Sequence, residues 1–286
     1  MAFRKIAAEE QIFEDIRNKH GKVYNNFLKF AEGLSLKKGA AKKKSGKASS
    51  YARYLVRLVI LYEETFNKEI MDLDTYLALH QLEELGDLPE FKKYNQDERR
   101  FPMATLSCYK SYIVAKHMAQ EERTDTELNY SLNNSDAIKN EDAIIKNDND
   151  LVKGPRKRAQ LILSKNGMSY PRNIAESIEA KKRSAYKCEI DSSHETFINS
   201  KDNNPYIEAH HLIPMAAQGY FENTIDFADN IVTLCPNCHR KIHYALPHER
   251  EKMLEVLYIK REKLYSKYGI RVDKQMLMEF YGITKT

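Results

Sequence analysis

Two short segments, EAHHLIPM at 208–215 and DNIVTLCPNCHRKIH at 229–243, hold the residues of this chain best suited to chemistry. Six of the nine histidines (His194, His210, His211, His239, His243, His248) and three of the four cysteines (Cys188, Cys235, Cys238) fall between 188 and 248. Imidazole and thiolate concentrated in this way point to metal ions. Cys235 and Cys238 stand three positions apart, a spacing at which one tight turn aims both sulfurs at a tetrahedral ion. A redox role for the same pair lacks the surrounding βαβ pattern. Upstream, YKCEIDSSHETF offers Cys188, but Asp191 occupies the position where a second cysteine would ordinarily follow, and the next soft donor is His194. Cys188, His194, Cys235 and Cys238 are therefore expected to hold a structural Zn²⁺, with Asp191 the substitute if His194 points away.

Once those four ligands are assigned, His210, His211, His239 and His243 are left over, and a purely structural knot has no use for them. His239 and His243 are four apart, so on a helix starting near Pro236 they share a face. His210 and His211 are adjacent, so on an extended segment they point to opposite sides, one toward a metal and the other toward a substrate. PYIEAHH and DNIVTLC read as short strands and CHRKIHYA as the start of a helix, giving a local order of strand, loop, strand, helix. Glu208 is either an acceptor for a ligand imidazole or a solvated strand-end carboxylate.

With these residues in place, the segment resembles the HNH, or ββα-metal, endonucleases, and especially their restriction-type branch with an HH-Leu-Ile-Pro turn and a CPNCH…IH ending. The resemblance covers about residues 184–286, and the step from Asn230 to His239 is similar to that of colicin-type members. It departs at the zinc knot, where Cys-x-x-Asp with a later His replaces the commoner first CxxC. The resemblance implies that His211 is the general base, that His210 and His239 hold a catalytic divalent metal (Mg²⁺, Mn²⁺ or Ni²⁺), that His243 is a third ligand or a phosphate contact, and that Asn230 fixes the loop or the base. Arg240 and Lys241, between the ligand histidines, would grip phosphate or simply be exposed helix charges. The implied activity is hydrolysis of double-stranded DNA in restriction or host defence. A structure-directed nicking or repair nuclease and a non-catalytic zinc-stabilised DNA-binding module are the alternatives.

The rest of the chain must position this centre. With 46 Lys plus Arg against 41 Asp plus Glu, the net charge is +5, yet Glu121–Asp150 alone carries nine acidic and three basic residues. A basic body with one acidic segment suits a nucleic-acid partner. The expected fold class is α+β, mainly α: a helical bundle over 1–119 serving as a DNA-recognition domain, an acidic linker over 120–153 with room for a short helix, and a ββα nuclease domain with flanking helices over 154–286. In the first domain, helices are expected near 7–19, from Tyr51 through Phe66 with Ser49 and Ser50 capping the start, over about Asp72–Leu85, and from Pro102 onward. Lys42, Lys43 and Lys44 lie in a loop that could follow a DNA backbone, the alternative being a solvated loop. Two short helices are expected between linker and knot, the second with Ile174 and Ile178 on one face, and Arg158 and Lys181 are among the basic residues there that could approach phosphate. A long helix from Pro247, with Met253, Leu257 and Leu264 inward, is expected to stop at Gly269 and to pack internally or form a homodimer contact. Without a secretory signal or a long apolar run, the chain is expected to be soluble and cytoplasmic, with no membrane partner.

Overall fold

The computed structural model describes residues 3–37, 46–133, 145–146, 150–164 and 167–283. Two compact units divide between Ala115 and Lys116. The first is built from α1 (Gln11–Lys19), α2 (Gly21–Lys37), α3 (Gly46–Phe66), α4 (Tyr76–Glu84), α5 (Pro89–Asp97) and the opening turns of α6 (Phe101–Asn133). The apolar stripe read along α3 is the buried one, with Leu55, Leu58, Val59 and Tyr62 almost wholly inaccessible. The helix begins earlier than expected, so Ser49 and Ser50 lie inside it, and the Ser50 hydroxyl donates back to Gly46 O at 3.0 Å instead of capping. α4 starts later than expected. Its cap is Thr75, whose Oγ1 accepts from Ala78 N at 3.1 Å, while Asp72 Oδ1 accepts from Asp74 N and closes a turn ahead of it. Phe27 and Tyr109 meet edge to face in the core of this unit, 5.8 Å between centroids. Lys42, Lys43 and Lys44 lie outside the described residues.

The segment read as a linker departs most from expectation. α6 runs unbroken to Asn133, and from Lys116 onward it belongs to the second unit. Glu121, Thr124, Asp125, Leu128 and Asn129 are all buried there. Glu121, Asp125 and Asn129 recur at four-residue spacing on one helix face, and that polar face is satisfied by partners in the second unit, so this part of the helix is packed although its sequence shows no sustained apolar stripe.

Short strands follow: β1 (Ile145–Lys146) pairs in parallel with β4 (Arg172–Asn173), and β2 (Ile162–Ser164) pairs antiparallel with β3 (Gly167–Ser169). Among the described residues only one of the two helices expected here forms, α7 (Ile174–Arg183), capped by Asn173 Oδ1 accepting from Ala175 N at 3.1 Å. Ile174 is buried on it, whereas Ile178 is exposed. β5 (Glu208–His211) and β6 (Ile231–Leu234) form an antiparallel pair in which His210 faces Val232 and His211 faces Ile231 across the ladder. α8 (Pro236–Tyr244) follows, so the strand, loop, strand, helix order read from the sequence is the order in the fold. Ala180, Ala209, Ala228 and Ile231 pack between α7 and the two strands, where small side chains let the helix approach.

The helix from Pro247 is shorter than expected. α9 (Pro247–Ile259) gives way to turns and a 3₁₀ segment, Tyr265–Tyr268, which ends at Gly269 with φ +68°, a backbone conformation that glycine adopts at no steric cost. Met253 and Leu257 are buried within the unit, whereas Leu264 is exposed. The tail forms α10 (Lys274–Phe280), and Leu277, Phe280 and Tyr281 pack back into the same core. No helix among the described residues is long and apolar enough to cross a membrane.

Candidate active site

The hairpin of β5 and β6 with α8 behind it brings two donor groups together. The first contains Cys188, His194, Cys235 and Cys238, each offering a ligand atom within 4.8 Å of the others. His194 Nδ1 lies 3.5 Å from both Cys235 Sγ and Cys238 Sγ. Asp191 turns aside: its Oδ1 accepts from Ser193 N and Oγ at 2.9 and 2.7 Å, which folds the loop that carries His194 inward. Cys235 also caps α8, its sulfur accepting from Cys238 N at 3.5 Å. Cys188 is held beside β6 through Glu189, which exchanges hydrogen bonds with the Thr233 backbone at 2.9 Å each way and receives Arg261 Nη2 on both carboxylate oxygens. Burial opposes ionisation of Cys188, but the backbone N–H groups around it and His194 bring its thiol down to about 7. Burial and the neighbouring thiolates push Cys238 up. Three cysteines and one histidine around one point are a donor set that could hold a tetrahedral metal.

The second group is Asp125, His210, His239 and His243, again with ligand atoms within 4.8 Å of one another. His239 and His243 sit one turn apart on α8, as their spacing implied, with Nε2 atoms 3.2 Å apart. His210 approaches from β5, its ring 5.2 and 4.8 Å from theirs between centroids. The outward-facing nitrogens are held from behind. Glu208 Oε2 lies 2.6 Å from His239 Nδ1, and Tyr281 Oη lies 2.8 Å from His210 Nε2. Glu208 is thus the partner of the His239 imidazole rather than a solvated strand end. Burial drives His210 down to about 3 against the pull of Asp125. Burial also opposes charge on His239, but the Asp125 and Glu208 carboxylates outweigh it and raise His239 to about 9. Asp125 is held well below the ordinary carboxylate range: burial resists this, and Arg172 and the three histidines prevail. The two Nε2 atoms that face each other across 3.2 Å, with a buried carboxylate beside them, form a pocket suited to a cation, and imidazole with carboxylate suits a divalent one.

His211 points to the other side of β5, as expected for the second of two adjacent strand residues, and is completely buried. Its Nε2 lies 2.8 Å from Asp226 Oδ1, while Nδ1 has no hydrogen-bond partner among the described residues. Asp226 is itself fixed by Asn173 N at 2.6 Å. One ring nitrogen of His211 lies within 4.8 Å of carboxylate oxygens of Glu121 and Asp125. The arrangement is an oriented imidazole: a carboxylate takes the N–H on one side and leaves the opposite nitrogen with a free lone pair.

Asn230 makes no side-chain hydrogen bond to His210 or His211. Its Nδ2 donates to Ile213 O at 3.0 Å and Ile225 O at 2.8 Å, its Oδ1 accepts from Ile213 N at 2.9 Å, and its own carbonyl accepts from Leu212 N at 2.8 Å. Of the two roles the sequence left open, the contacts are those of a loop clamp. Arg240 and Lys241 are exposed at the surface, and each has an acidic partner: Arg240 pairs with Glu122 and Lys241 with Glu249 at 3.1 Å. Arg158 and Lys181 do not face outward as phosphate contacts would. Arg158 Nη1 donates to the Gly219 and Phe221 carbonyls, and Lys181 is buried.

Four residues of this centre escaped the sequence reading: Asp125, Arg172, Asp226 and Tyr281. The i, i+4 recurrence of Glu121, Asp125 and Asn129 was the one available signal for the first, and it was masked by the acidic, Asn-rich composition around it. Nothing in the local sequence marks the other three.

A ββα arrangement with histidines at these positions is that of the HNH nucleases, and the HNH endonuclease family matches residues 194–245; the chain carries an HNH endonuclease domain. Asp125, Arg172 and Tyr281 lie outside the matched stretch. Among individual proteins, the chain is 43% identical over 63 residues to the Type IV methyl-directed restriction enzyme EcoKMcrA of Escherichia coli (strain K12). That alignment covers 22% of this chain and 20% of the relative, so the chain spans about a fifth of the restriction enzyme's length. The family match falls on the segment that carries His194, His210, Cys235, Cys238, His239 and His243 of the two donor groups.

Proposed function

We propose that this protein is a metal-dependent DNA endonuclease of the restriction or host-defence type. The observation that carries the reading is the convergence of His210, His239 and His243 on one face of β5 with the oriented His211 on the other. In this reading the three histidines hold a divalent ion such as Mg²⁺, Mn²⁺ or Ni²⁺, which when bound neutralises charge on the phosphoryl and leaving oxygens. His211 takes the proton from the attacking water, a contribution of about 10²–10⁴-fold for a well-placed general base. Asp226 supports that role by fixing the ring and by stabilising the imidazolium as it forms. Asn230 keeps the Leu212–Ile213 turn, and therefore the His pair, in register. Cys188, His194, Cys235 and Cys238 hold Zn²⁺ and tie the strand pair to α8. Arg240 and Lys241 meet the phosphate backbone when DNA displaces Glu122 and Glu249 from them.

Double-stranded DNA is the proposed partner, and the restriction enzyme's description as methyl-directed makes methylated DNA the proposed target. The helical first unit, together with Lys42, Lys43 and Lys44, is assigned to target recognition. No observation supports a homodimer. The test is cleavage of matched plasmids, with and without cytosine methylation, in Mg²⁺, Mn²⁺ or Ni²⁺. Metal-dependent cutting of the methylated plasmid is expected, and it should be lost in His211→Ala with zinc content unchanged. Full cutting by His211→Ala overturns the assignment of the base. DNA binding by the wild type without cutting in any ion would leave a zinc-stabilised binding module instead.

A further inference from the structure

The histidine triad is not completed by the HNH segment. Asp125, 85 residues before His210 on α6, places Oδ2 2.7 Å from His210 Nδ1, 3.5 Å from His239 Nε2 and 3.7 Å from His243 Nε2. Donor atoms bound at about 2.1 Å to one ion stand about 3.0 Å apart at octahedral angles and about 3.4 Å apart at tetrahedral ones. The separations of 3.2, 3.5 and 3.7 Å among Asp125, His239 and His243 have the size of edges of such a polyhedron. The 2.7 Å contact to His210 is the hydrogen bond that the pair makes without an ion between them.

We infer that Asp125 is the fourth protein ligand of the catalytic divalent ion, an inference that rests on the nuclease reading above. A carboxylate that merely orients a ligand imidazole meets the ring nitrogen remote from the ion. Glu208 does this at His239 Nδ1, and the Tyr281 hydroxyl does it at His210 Nε2. Asp125 instead meets the inward-facing nitrogens of all three rings. Its other oxygen, Oδ1, is taken by Arg172, so only Oδ2 remains to point at the triad.

The helix that carries Asp125 is fixed on both sides of the His pair. Asn129 accepts from Ala209 N at 2.8 Å and donates to Ala209 O at 3.1 Å, immediately before His210. Glu121 accepts from Met215 N at 2.9 Å, just beyond the turn that follows His211, and pairs with Arg172 at 3.0 Å. These anchors hold the carboxylate in place with no side-chain motion needed to bring it to the ion. A fourth, anionic oxygen ligand also changes what the site selects. Three neutral imidazoles leave the ion at its full charge and favour nickel, copper and zinc, whereas an added carboxylate shifts preference toward manganese and magnesium.

The test uses the whole chain, Met1–Thr286, loaded with zinc. Calorimetric titration with Mn²⁺ should show Asp125→Asn binding at least tenfold more weakly than wild type, the lower bound for loss even of an outer partner of a metal ligand. Ni²⁺ affinity should fall less, and zinc content should be unchanged. Because Asp125→Asn also disturbs Arg172, a second measurement needs no variant: pulsed EPR of Mn²⁺ on wild type labelled with ¹³C-carboxyl aspartate should show strong ¹³C coupling. Absence of that coupling overturns the assignment. So does Mn²⁺ binding that His239→Ala abolishes while Asp125→Asn leaves it unchanged, an outcome under which the nuclease reading stands. Wild type that neither binds Mn²⁺ nor cuts DNA in any divalent ion overturns both.

Discussion

Removing the Asn230 side chain should loosen the active-site turn before it does anything to the reaction itself. The side chain is completely buried, and truncation to Ala withdraws its bonds to Ile213 N, Ile213 O and Ile225 O, together with a longer one from Tyr265 Oη at 3.3 Å. Each backbone group left unsatisfied in a dry site costs about 1–3 kcal/mol. Three such groups on one clamp do not add independently, so about 3–5 kcal/mol is the expected loss. That is a large share of the roughly 5–15 kcal/mol that holds a typical domain. Amide hydrogen exchange of peptides covering 208–234 reads the local opening free energy directly, and DNA cleavage can be followed on the same samples. Asn230→Ala should exchange faster across Leu212–Ile225 and cut about a hundredfold more slowly, as expected when a catalytic group shifts by about 1 Å. Asn230→Asp should not rescue it: the remaining acceptor still meets Ile213 N, but a second oxygen is turned against two carbonyls. If Asn230→Ala abolished cutting while exchange changed by less than about 1 kcal/mol, the amide would be acting on the reaction and the clamp argument would be wrong.

Three further outcomes follow from the same geometry. Asp226→Asn should cut DNA about 10²–10⁴-fold more slowly with metal affinity unchanged, because an amide no longer fixes the His211 tautomer; retained cutting would remove Asp226 from the base. His194→Ala should lose tightly held zinc and melt lower while Asp191→Ala keeps the metal, as metal analysis by mass spectrometry would show; the reverse result would exchange their roles. Lys181 is brought down to about 8 by burial, so below pH 8 the folded chain carries a poorly solvated charge, a cost lifted between about 8 and the unfolded value near 10.5, where only the unfolded chain keeps the proton. Lys181→Met should therefore stabilise by up to about 3 kcal/mol at pH 7 and by progressively less toward pH 10.5. A gain independent of pH in thermal melts would refute burial of charge as its source.

The nuclease centre is legible in the sequence to the extent that it is local. His210, His211, Asn230, His239 and His243 lie within one strand, loop, strand and helix. Strand alternation sends the adjacent pair to opposite sides, and helical spacing stacks the last two, so both relations follow from backbone geometry alone. The thiol and imidazole donors of the other group are legible for the same reason at Cys235 and Cys238, and less so at His194, where a turn closed by Asp191 and Ser193 settles which side chain faces inward. Apolar periodicity located four helices of the first unit, α1, α3, α4 and the start of α6, but passed over α2 and α5, and it placed the starts of α1, α3 and α4 several residues away, because a cap depends on local hydrogen bonds that the pattern does not encode.

What the sequence determined alone is therefore the kind of chemistry: which donors exist, how they are spaced, and which backbone form presents them. Tertiary structure decided the surroundings that tune those donors. Asp125, Asp226 and Tyr281 reach the histidines from other elements, across 15 to 85 positions of sequence, and Arg172 in turn holds Asp125. α6 shows why this could not be foreseen. Beyond Lys116 its packing draws on buried polar groups whose partners lie on strands and turns far along the chain, and a polar residue looks the same in the sequence whether water or a folded partner satisfies it.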